Sequence, residues 1–319
     1  MAKFIQFSPP YISQQEINSV TKVLKSGWLS HGPLTEKFEK EFAKYVKAKF
    51  AVSVNSCTSG LFLSLAAINI KPGDEVITTP LTFAATANVV HHLGAKPVFA
   101  DICEDTYNID PDKIEEKITR KTKAIIPVHY GGQPCEMNEI AKLAKENNLT
   151  IIEDAAHATG SEYEGKMIGS LGNLTCFSFY PTKPITVIEG GMITTNNKKL
   201  AERLKILGRH GISRDAWKRY GAKGSWYYEV LEAGYKFNTT DMNSALGLAQ
   251  LKRLKWFEKK RKEVFDYYQK ELMGLDVTTP TIRPNVKTSY HLYPILLESY
   301  DRNKFIDEMK THGIGTSVH

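Results

Sequence analysis

The sequence predicts an α/β protein: a large domain with a mostly parallel, seven-stranded sheet flanked by helices, and a smaller C-terminal α+β domain. Short runs rich in β-branched residues alternate with helical segments, which is the order that a parallel sheet requires. Most of these runs are continuously apolar, as in strands that helices cover on both faces. After about residue 238 the alternation stops and a long helical stretch begins. We therefore predict domains over 1–238 and 239–319.

Local signals place the elements of the large domain. A first helix should begin after Ser13, because Ser13 and Glu16 have the spacing of a capping box. Seven runs are predicted as strands: AVSV from Ala51, EVITT from Glu75, KPVFADI from Lys96, KAIIPVH from Lys123, LTIIED from Leu149, TCFSF from Thr175 and GMITT from Gly191.

The smaller domain has three predicted elements. A long helix should run from Asp241 to Leu272, followed by the strand-like segment SYHLYPILLE from Ser289 and a helix over DRNKFIDEMKTHG from Asp301. The sequence ends within GIGTSVH, which is itself strand-like. This pattern predicts a small domain that is truncated.

Composition and charge narrow the class of protein. With 42% hydrophobic and 24% charged residues, the chain resembles a folded globular protein. It has no apolar run of about 18 residues and no signal-peptide pattern, which predicts a soluble, cytoplasmic protein with no membrane partner. The formal charge of +7 comes without aromatic residues interleaved among the basic ones, so no nucleic-acid partner is predicted. Four scattered cysteines predict neither a disulfide framework nor a metal site.

The segment NSCTSGLFLSLAA, from Asn55, is a candidate anion site. It follows a predicted strand and opens an apolar helix, whose free backbone N–H groups and dipole attract anions. The hydroxyls of Thr58 and Ser59 could add hydrogen bonds to a phosphate. Plain N-capping is an equally good interpretation of the same residues. The segment lacks the glycine patterns of P-loops and dinucleotide folds, which disfavours both.

The segment IIEDAAHATG, from Ile151, places Asp154 at the carboxyl end of a buried strand, where open α/β sheets make ligand contacts. A carboxylate buried there must be paired, because burying it alone is costly. His157 lies close enough in sequence to reach the same ligand. The alternative is that Asp154 only caps a helix, as strand-end aspartates often do.

The segment FSFYPTKPITVIEGG, from Phe177, places Lys183 between two prolines and ahead of an apolar run. A lysine that must lose its proton and attack a carbonyl needs a stiff backbone and a partly desolvated amine, and this segment suits both. Lys183 could form a Schiff base with an aldehyde cofactor, and Asp154 could pair with a protonated pyridine nitrogen. Thr58, Ser59 and Ser178 could hold a phosphate. These are the parts of a pyridoxal 5'-phosphate (PLP) site.

Taken together, the motifs resemble those of the DegT/StrS nucleotide-sugar aminotransferases, within the aspartate-aminotransferase-like fold type I superfamily. The matching segments are GWLSHGPLTEKFE, NSCTSGL, PGDEVITTPLTFAATAN, GAKPVFADI, TKAIIPVHYGGQP, IIEDAAHATGSEYEGKMIGSLG, FSFYPTKPIT with EGG, GYKFNTTDMNSALGLAQL and HLYPILL. They cover nearly the whole chain, so the resemblance is specific at the level of the family.

The resemblance implies a role for each candidate residue. Lys183 would be the lysine of the internal aldimine, Asp154 would pair with the pyridine nitrogen, and His157 would lie near the 3-hydroxyl of the ring. Phe83 would stack on the ring, although core packing is the simpler interpretation of a lone aromatic residue. Thr58, Ser59 and Ser178 would bind the cofactor phosphate.

The resemblance also implies a homodimer with shared active sites. Asn238, in the segment YKFN, would reach the phosphate bound by the neighbouring subunit. The alternative is that Asn238 caps the long helix that follows it, as asparagine often does.

The activity implied is the transfer of an amino group from glutamate to a nucleotide-linked keto sugar, most often a 4-keto sugar. Retention of Lys183 favours this transamination over two alternatives, a PLP-dependent sugar dehydratase or lyase on the same fold and a non-catalytic regulator. Cues to the sugar conflict. KPIT and HLYPIL resemble enzymes of aminodideoxy-altrosamine nucleotides, whereas EDAAHA, GYKFN and GIGTSVH resemble those of aminoarabinose nucleotides.

Overall fold

A computed structural model describes residues 4–213 and 227–319 of the chain. Its twelve strands are β1 (Phe50–Val54), β2 (Glu75–Thr78), β3 (Lys96–Phe99), β4 (Thr122–Ile126), β5 (Thr150–Asp154), β6 (Glu162–Tyr163), β7 (Lys166–Met167), β8 (Leu174–Ser178), β9 (Gly191–Thr195), β10 (Val277–Thr278), β11 (Val286–Lys287) and β12 (Leu296–Leu297). Its helices are α1 (Gln14–Ser26), α2 (Pro33–Tyr45), α3 (Cys57–Ala67), α4 (Ala85–His92), α5 (Pro111–Glu115), α6 (Met137–Glu146), α7 (Lys198–Leu207), α8 (Asp241–Glu271) and α9 (Arg302–Thr311).

The central sheet has seven strands in the order β1-β9-β8-β5-β4-β2-β3. The five strands from β8 to β3 are parallel to one another, whereas β9 runs antiparallel to both of its neighbours. All seven runs predicted as strands are therefore strands of one sheet, and the prediction of a mostly parallel sheet is confirmed. The carboxyl ends of β4, β5 and β8 lie side by side, which is where an α/β sheet binds ligands.

Two hydrophobic clusters cover the two faces of the sheet. One contains buried side chains of α2, α6 and α8, such as Phe42, Ile140 and Leu254. The other contains buried side chains of α3, α4 and α7, including Leu61 and Val90. Successive residues of a strand alternate between the clusters, because successive side chains point to opposite faces. The continuous apolar runs in the sequence have this cause.

The first helix begins where its capping box predicts. The backbone N–H of Ser13 donates to the Glu16 carboxylate at 2.8 Å, and the Ser13 side chain also contacts that carboxylate. Glu16 is fully buried, and Gln250 Nε2 on α8 donates to its other oxygen at 3.1 Å. The cap therefore also ties α1 to α8.

The C-terminal region differs in part from its prediction. The helices α8 and α9 form as predicted, but only Leu296–Leu297 of the segment SYHLYPILLE is a strand, and it pairs with β10. The preceding residues cross the large sheet's binding edge, where their backbone groups bond to loops. Strand β11 pairs with β6 of the N-terminal part. The boundary at residue 238 stays a prediction. No helix within 4–213 and 227–319 is both long and apolar enough to span a bilayer.

Candidate active site

The register of three strands brings the predicted anion loop and Ser178 together. Gly191, the first residue of β9, pairs with Val54 at the end of β1 and with Ser178 at the end of β8. A Cβ atom on Gly191 would lie 2.7 Å from the carbonyl oxygen of Phe177 and 2.8 Å from the backbone nitrogen of Cys57. A larger residue at 191 would push the start of α3 away from the sheet. The second glycine of the EGG segment is explained by this close approach.

The start of α3 is capped by Ser56, a residue that the sequence analysis did not single out. The Ser56 hydroxyl accepts a hydrogen bond from the Ser59 backbone N–H at 3.0 Å. The Ser59 hydroxyl donates to Asn55 Oδ1 at 2.6 Å, so it is already used within the turn. Thr58 is exposed, and the first N–H groups of a helix have no intrahelical acceptor. The loop therefore keeps donors available for an anion.

Asp154 is the last residue of β5, and 5% of its surface is exposed. Thr86 Oγ1 donates to Asp154 Oδ2 at 2.8 Å, and the backbone N–H of Ala156 donates to Oδ1 at 3.1 Å. These bonds orient the carboxylate and offset part of the cost of burying it. Thr86 is a support that sequence reasoning missed, although it lies in the LTFAATAN segment only three residues after Phe83.

Lys183 lies in the turn after β8, where its backbone N–H donates to the carbonyl of Tyr180 at 2.9 Å. Its side chain is half-buried. Burial lowers the pKa of Lys183, and the negative charge of Asp154 opposes part of that shift. A lowered pKa increases the fraction of neutral amine, which is the nucleophilic form. Lys183 and Asp154 thus face the same space from adjacent strands.

His157 is buried three residues beyond Asp154. Its Nδ1 accepts a hydrogen bond from the backbone N–H of Gly131 at 3.3 Å, so the neutral ring carries its proton on Nε2. Burial holds the pKa of His157 well below its ordinary value, and His291, Lys183 and His319 lower it further. His157 can therefore act as a neutral hydrogen-bond donor.

A second imidazole, His291, comes to the site from the C-terminal region and was missed by the sequence analysis. Its ring centroid lies 4.7 Å from that of His157, and its backbone N–H donates to the Gly131 carbonyl at 3.1 Å. Ser289 secures the same segment, because its hydroxyl donates to the His157 carbonyl at 2.6 Å. The segment HLYPILL carries the resemblance to the family, but periodicity gave no reason to place its histidine in the site.

Phe83 and Asn238 also have alternatives that the structure settles. The Phe83 side chain is 70% exposed, so it does not pack in the core. Thr240, not Asn238, caps α8, since the Thr240 hydroxyl accepts from the Asn243 N–H at 3.2 Å. Asn238 Nδ2 donates to the Thr239 carbonyl, and its Oδ1 is buried without a partner among the described residues. The role of Asn238 at a neighbouring subunit stays a prediction.

The residues gathered here fit a pyridine aldehyde that carries a phosphate. They supply a helix start with free N–H groups, a buried carboxylate and an amine with a lowered pKa, together with the buried, unpartnered Oδ1 of Asn238. The backbone N–H of Asn55 donates to the Phe237 carbonyl at 2.8 Å, which places residues 237 and 238 beside the chain's own anion loop. No group of three metal-binding side chains forms within residues 4–213 and 227–319.

Comparison with known proteins identifies the relatives of this chain. The model of the DegT/DnrJ/EryC1/StrS aminotransferase family matches residues 10–319. Uncharacterized protein MJ1066 of Methanocaldococcus jannaschii is 56% identical over 98% of this chain and 83% of its own. Spore coat polysaccharide biosynthesis protein SpsC of Bacillus subtilis is 50% identical over 99% of this chain and 83% of its own.

Solved structures with the same fold include two sugar-related proteins. Spr1654 of Streptococcus pneumoniae, in a structure described as the PLP-form, superposes with a TM-score of 0.92 and 35% identity, over 99% of this chain and 84% of its own. PseC of Helicobacter pylori, described as an aminotransferase involved in the biosynthesis of pseudoaminic acid, has a TM-score of 0.90 and 34% identity, over 98% of this chain and 83% of its own.

Proposed function

The chain belongs to the DegT/DnrJ/EryC1/StrS aminotransferase family, and we propose that it moves an amino group from glutamate to a nucleotide-linked keto sugar. A 4-keto sugar is the form that we propose first. SpsC is named for the biosynthesis of a polysaccharide and PseC for that of a sugar acid, so both support a sugar acceptor. The formal charge of +7 suits a substrate that carries phosphates.

The cofactor is PLP, the form in which the related Spr1654 is described. When bound, PLP supplies an aldehyde that attaches to amines and a ring that withdraws electrons from the attached carbon. We propose that Thr58, Ser59 and Ser178 hold its phosphate, with the first N–H groups of α3. Because the Ser59 hydroxyl already donates to Asn55, its contribution would be mainly through the backbone.

Three further side chains orient the ring in this proposal. Asp154 would accept a hydrogen bond from the ring nitrogen and keep it protonated, a task for which Thr86 and Ala156 hold the carboxylate in place. His157 would donate from Nε2 to the 3-oxygen, because its Nδ1 is occupied by the Gly131 N–H. The exposed ring of Phe83 can cover one face of the ring.

Lys183 carries the proton steps. Its amine must be neutral to react with a carbonyl, and burial favours the neutral form by lowering its pKa. With the cofactor bound, the Lys183 amine would be the group that takes up a proton and returns one. Asp154 keeps Lys183 from losing its charge entirely, because its carboxylate favours the protonated form. A proton acceptor that can also donate requires this balance.

The observation that carries the proposal is the pairing of a half-buried lysine of lowered pKa with a buried carboxylate. To test it, we would load the protein with PLP, record the absorption band, reduce with borohydride and map the labelled peptide. We expect the label on Lys183 and none in Lys183→Ala. Glutamate should then bleach the band of the unreduced holoenzyme, and the correct nucleotide keto sugar should restore it.

The outcomes separate the competing functions. A reducible label that persists at another lysine in Lys183→Ala would show that Lys183 does not carry the cofactor. A holoenzyme that glutamate leaves unchanged, but that eliminates water from a sugar nucleotide, would be a dehydratase. A protein that binds PLP and reacts with neither substrate class would fit the regulator.

A further inference from the structure

Arg261, on α8, carries a partly buried guanidinium that lies beside the turn of Lys183. Its Nη2 donates to the carbonyl oxygens of Pro184 at 3.1 Å and Lys183 at 3.4 Å. Its Nη1 is buried without a hydrogen-bond partner, and Arg261 forms no ion pair within the described part of the chain. Burial lowers the pKa of Arg261 to about 10, although Glu258 partly opposes this. A buried charge of this kind is costly unless a ligand pairs with it.

The segment that carries His291 crosses α8 at the same level. Phe265 lies one turn beyond Arg261 on the same helix face, and its ring centroid is 5.3 Å from that of Tyr290 and 4.9 Å from that of Tyr293. His291, between these two tyrosines, therefore lies near Arg261. Its Nδ1 is also buried with no partner among the described residues.

Both groups lie close to the proposed cofactor site: Arg261 Nη2 donates to the Lys183 carbonyl at 3.4 Å, and the His291 ring centroid lies 4.7 Å from that of His157. Burial lowers the pKa of His291 well below its ordinary value, and the charges of Lys183 and then Arg261 lower it further. The ring of His291 is therefore near enough to the Lys183 amine for the two groups to interact electrostatically.

We propose that Arg261 Nη1 and the His291 imidazole form an anion subsite that binds a carboxylate of the amino-acid donor. The inference rests on the proposed function, since a transaminase must hold its amino donor beside the lysine. A guanidinium and an imidazole N–H together match the two oxygens of one carboxylate. All the site residues predicted from the sequence precede residue 239. A subsite for the amino-acid donor that is built from α8 and the C-terminal segment is therefore a new part of this site.

A carboxylate fits the subsite better than a phosphate does. The helix start at Thr58 and Ser59 already offers several N–H groups for the cofactor phosphate, on a different segment. Arg261 and His291 offer one free nitrogen each in a buried position, which is few for a dianion but sufficient for a carboxylate.

The test uses glutarate, a dicarboxylate with no amino group to transfer, so that binding is separated from turnover. We would titrate PLP-loaded protein with glutarate by calorimetry and compare three variants: Arg261→Gln, His291→Phe and Arg253→Gln. Charge-assisted hydrogen bonds are worth enough that Arg261→Gln should weaken binding by about 10- to 100-fold, and loss of a neutral bond in His291→Phe by about 3- to 10-fold. Arg253 lies on the same helix but already pairs with Glu16 at 3.4 Å, so Arg253→Gln should bind like the parent.

Each result decides the question. Arg261 also braces the lysine turn, so borohydride labelling of Lys183 is measured in every variant. If labelling persists while glutarate affinity falls in both site variants, the subsite stands. Unchanged glutarate affinity in His291→Phe and Arg261→Gln would overturn it, even if Lys183 still carries PLP. Inorganic phosphate that binds with an affinity sensitive to Arg261, where glutarate does not, would overturn the carboxylate assignment. Failure of the parent protein to be labelled at Lys183 would instead count against the proposed function.

Discussion

Asp154 and His157, three residues apart in the chain, are both buried, and their surroundings suit them to different roles. Asp154 accepts hydrogen bonds from the Thr86 hydroxyl and the Ala156 N–H, and these orient its carboxylate. Burial holds the pKa of His157 well below the ordinary value, and the charges of His291, Lys183 and His319 lower it further. The Asp154 carboxylate is thus oriented to accept a hydrogen bond, and the neutral His157 ring to donate one.

The charge of Asp154 should be essential for turnover. Asp154→Asn keeps the shape of the side chain and can still accept from the Ala156 N–H, so the fold should persist. An amide cannot keep a pyridine nitrogen protonated, and loss of one preorganised electrostatic contact typically costs on the order of 10²–10³-fold in rate. Steady-state rates with glutamate measure this. Asp101→Asn, at the exposed end of β3, is the matched control, and a rate for Asp154→Asn equal to that control would remove Asp154 from the mechanism.

Burial of neutral His157 should make the protein sensitive to acid. Its pKa is lower in the folded than in the unfolded chain, where it is about 6.5. Above about 6.5 both states bind no proton at this site, whereas below it only the unfolded state does. Stability should therefore fall as the pH drops from about 6.5 toward the folded pKa, by at most about 1.4 kcal/mol per pH unit.

Thermal unfolding between pH 7 and 5 tests this expectation. In His157→Gln, an amide that does not titrate replaces the imidazole, so Tm should fall less steeply with acid than in the parent. His312→Gln, on the exposed end of α9, serves as the comparison. Equal slopes in His157→Gln and in the parent would mean that His157 binds protons alike in both states.

At the scale of elements, one carboxylate joins two helices next to the site. Helix α2 begins after Gly32, which has no side chain that could cap the helix. The carboxylate of Asp241, on α8, caps it instead. Asp241 accepts from the backbone N–H groups of Leu34 at 3.1 Å and Thr35 at 2.9 Å, and from the Thr35 hydroxyl at 2.6 Å. The start of α8, three residues after Asn238, is thereby fixed to the N-terminal part of the chain.

Removing this shared cap should destabilise the fold. Asp241→Ala leaves the buried N–H of Thr35 and the partly buried N–H of Leu34 without an acceptor, so the free energy of unfolding in urea should fall by about 2 kcal/mol. Asp301→Ala removes an ordinary exposed cap, whose side chain accepts from the Lys304 N–H, and should cost less than about 1 kcal/mol. Similar losses in the two variants would show that the contact between α2 and α8 adds nothing to capping.

The local and the long-range features of this fold differ in how far the sequence predicts them. Continuous apolar runs and the Ser13 capping box are local, and each formed where it was expected. The contacts of Thr86, Arg261 and His291 join segments about 70 or more residues apart, and no spacing rule describes such contacts. The segment from Ser289 read as a strand because its residues alternate, yet its N–H groups bond to the Gly131–Gly132 turn instead of to a partner strand. Hydrogen bonds to a distant turn therefore determine the conformation of a segment whose local sequence favours a strand.

At the scale of the whole molecule, we predict a homodimer whose sites are shared. Large apolar side chains are exposed on this chain, including the proposed cofactor-stacking residue Phe83 at 70%, Ile188 at 61% and Val230 at 65%. Exposed apolar surface of this kind marks an interaction site, and a dimer built around two active sites should bury more than about 2,000 Å². A second copy of the chain is the partner that we propose to cover it.

Mixed dimers can decide whether Asn238 serves its own subunit or the other one. The residue lies beside its own anion loop, through the bond between Asn55 and Phe237, so both arrangements have a physical basis. We would mix Lys183→Ala with Asn238→Ala protein, allow subunits to exchange, and measure activity at limiting PLP. If Asn238 crosses the interface, the intact Lys183 of one subunit receives the intact Asn238 of the other, and each hybrid regains one complete site. If Asn238 acts within its own chain, every site in the mixture lacks one of the two residues, and activity stays at the level of the separate variants. A protein that sediments as a monomer while holding PLP tightly would rule out the shared arrangement.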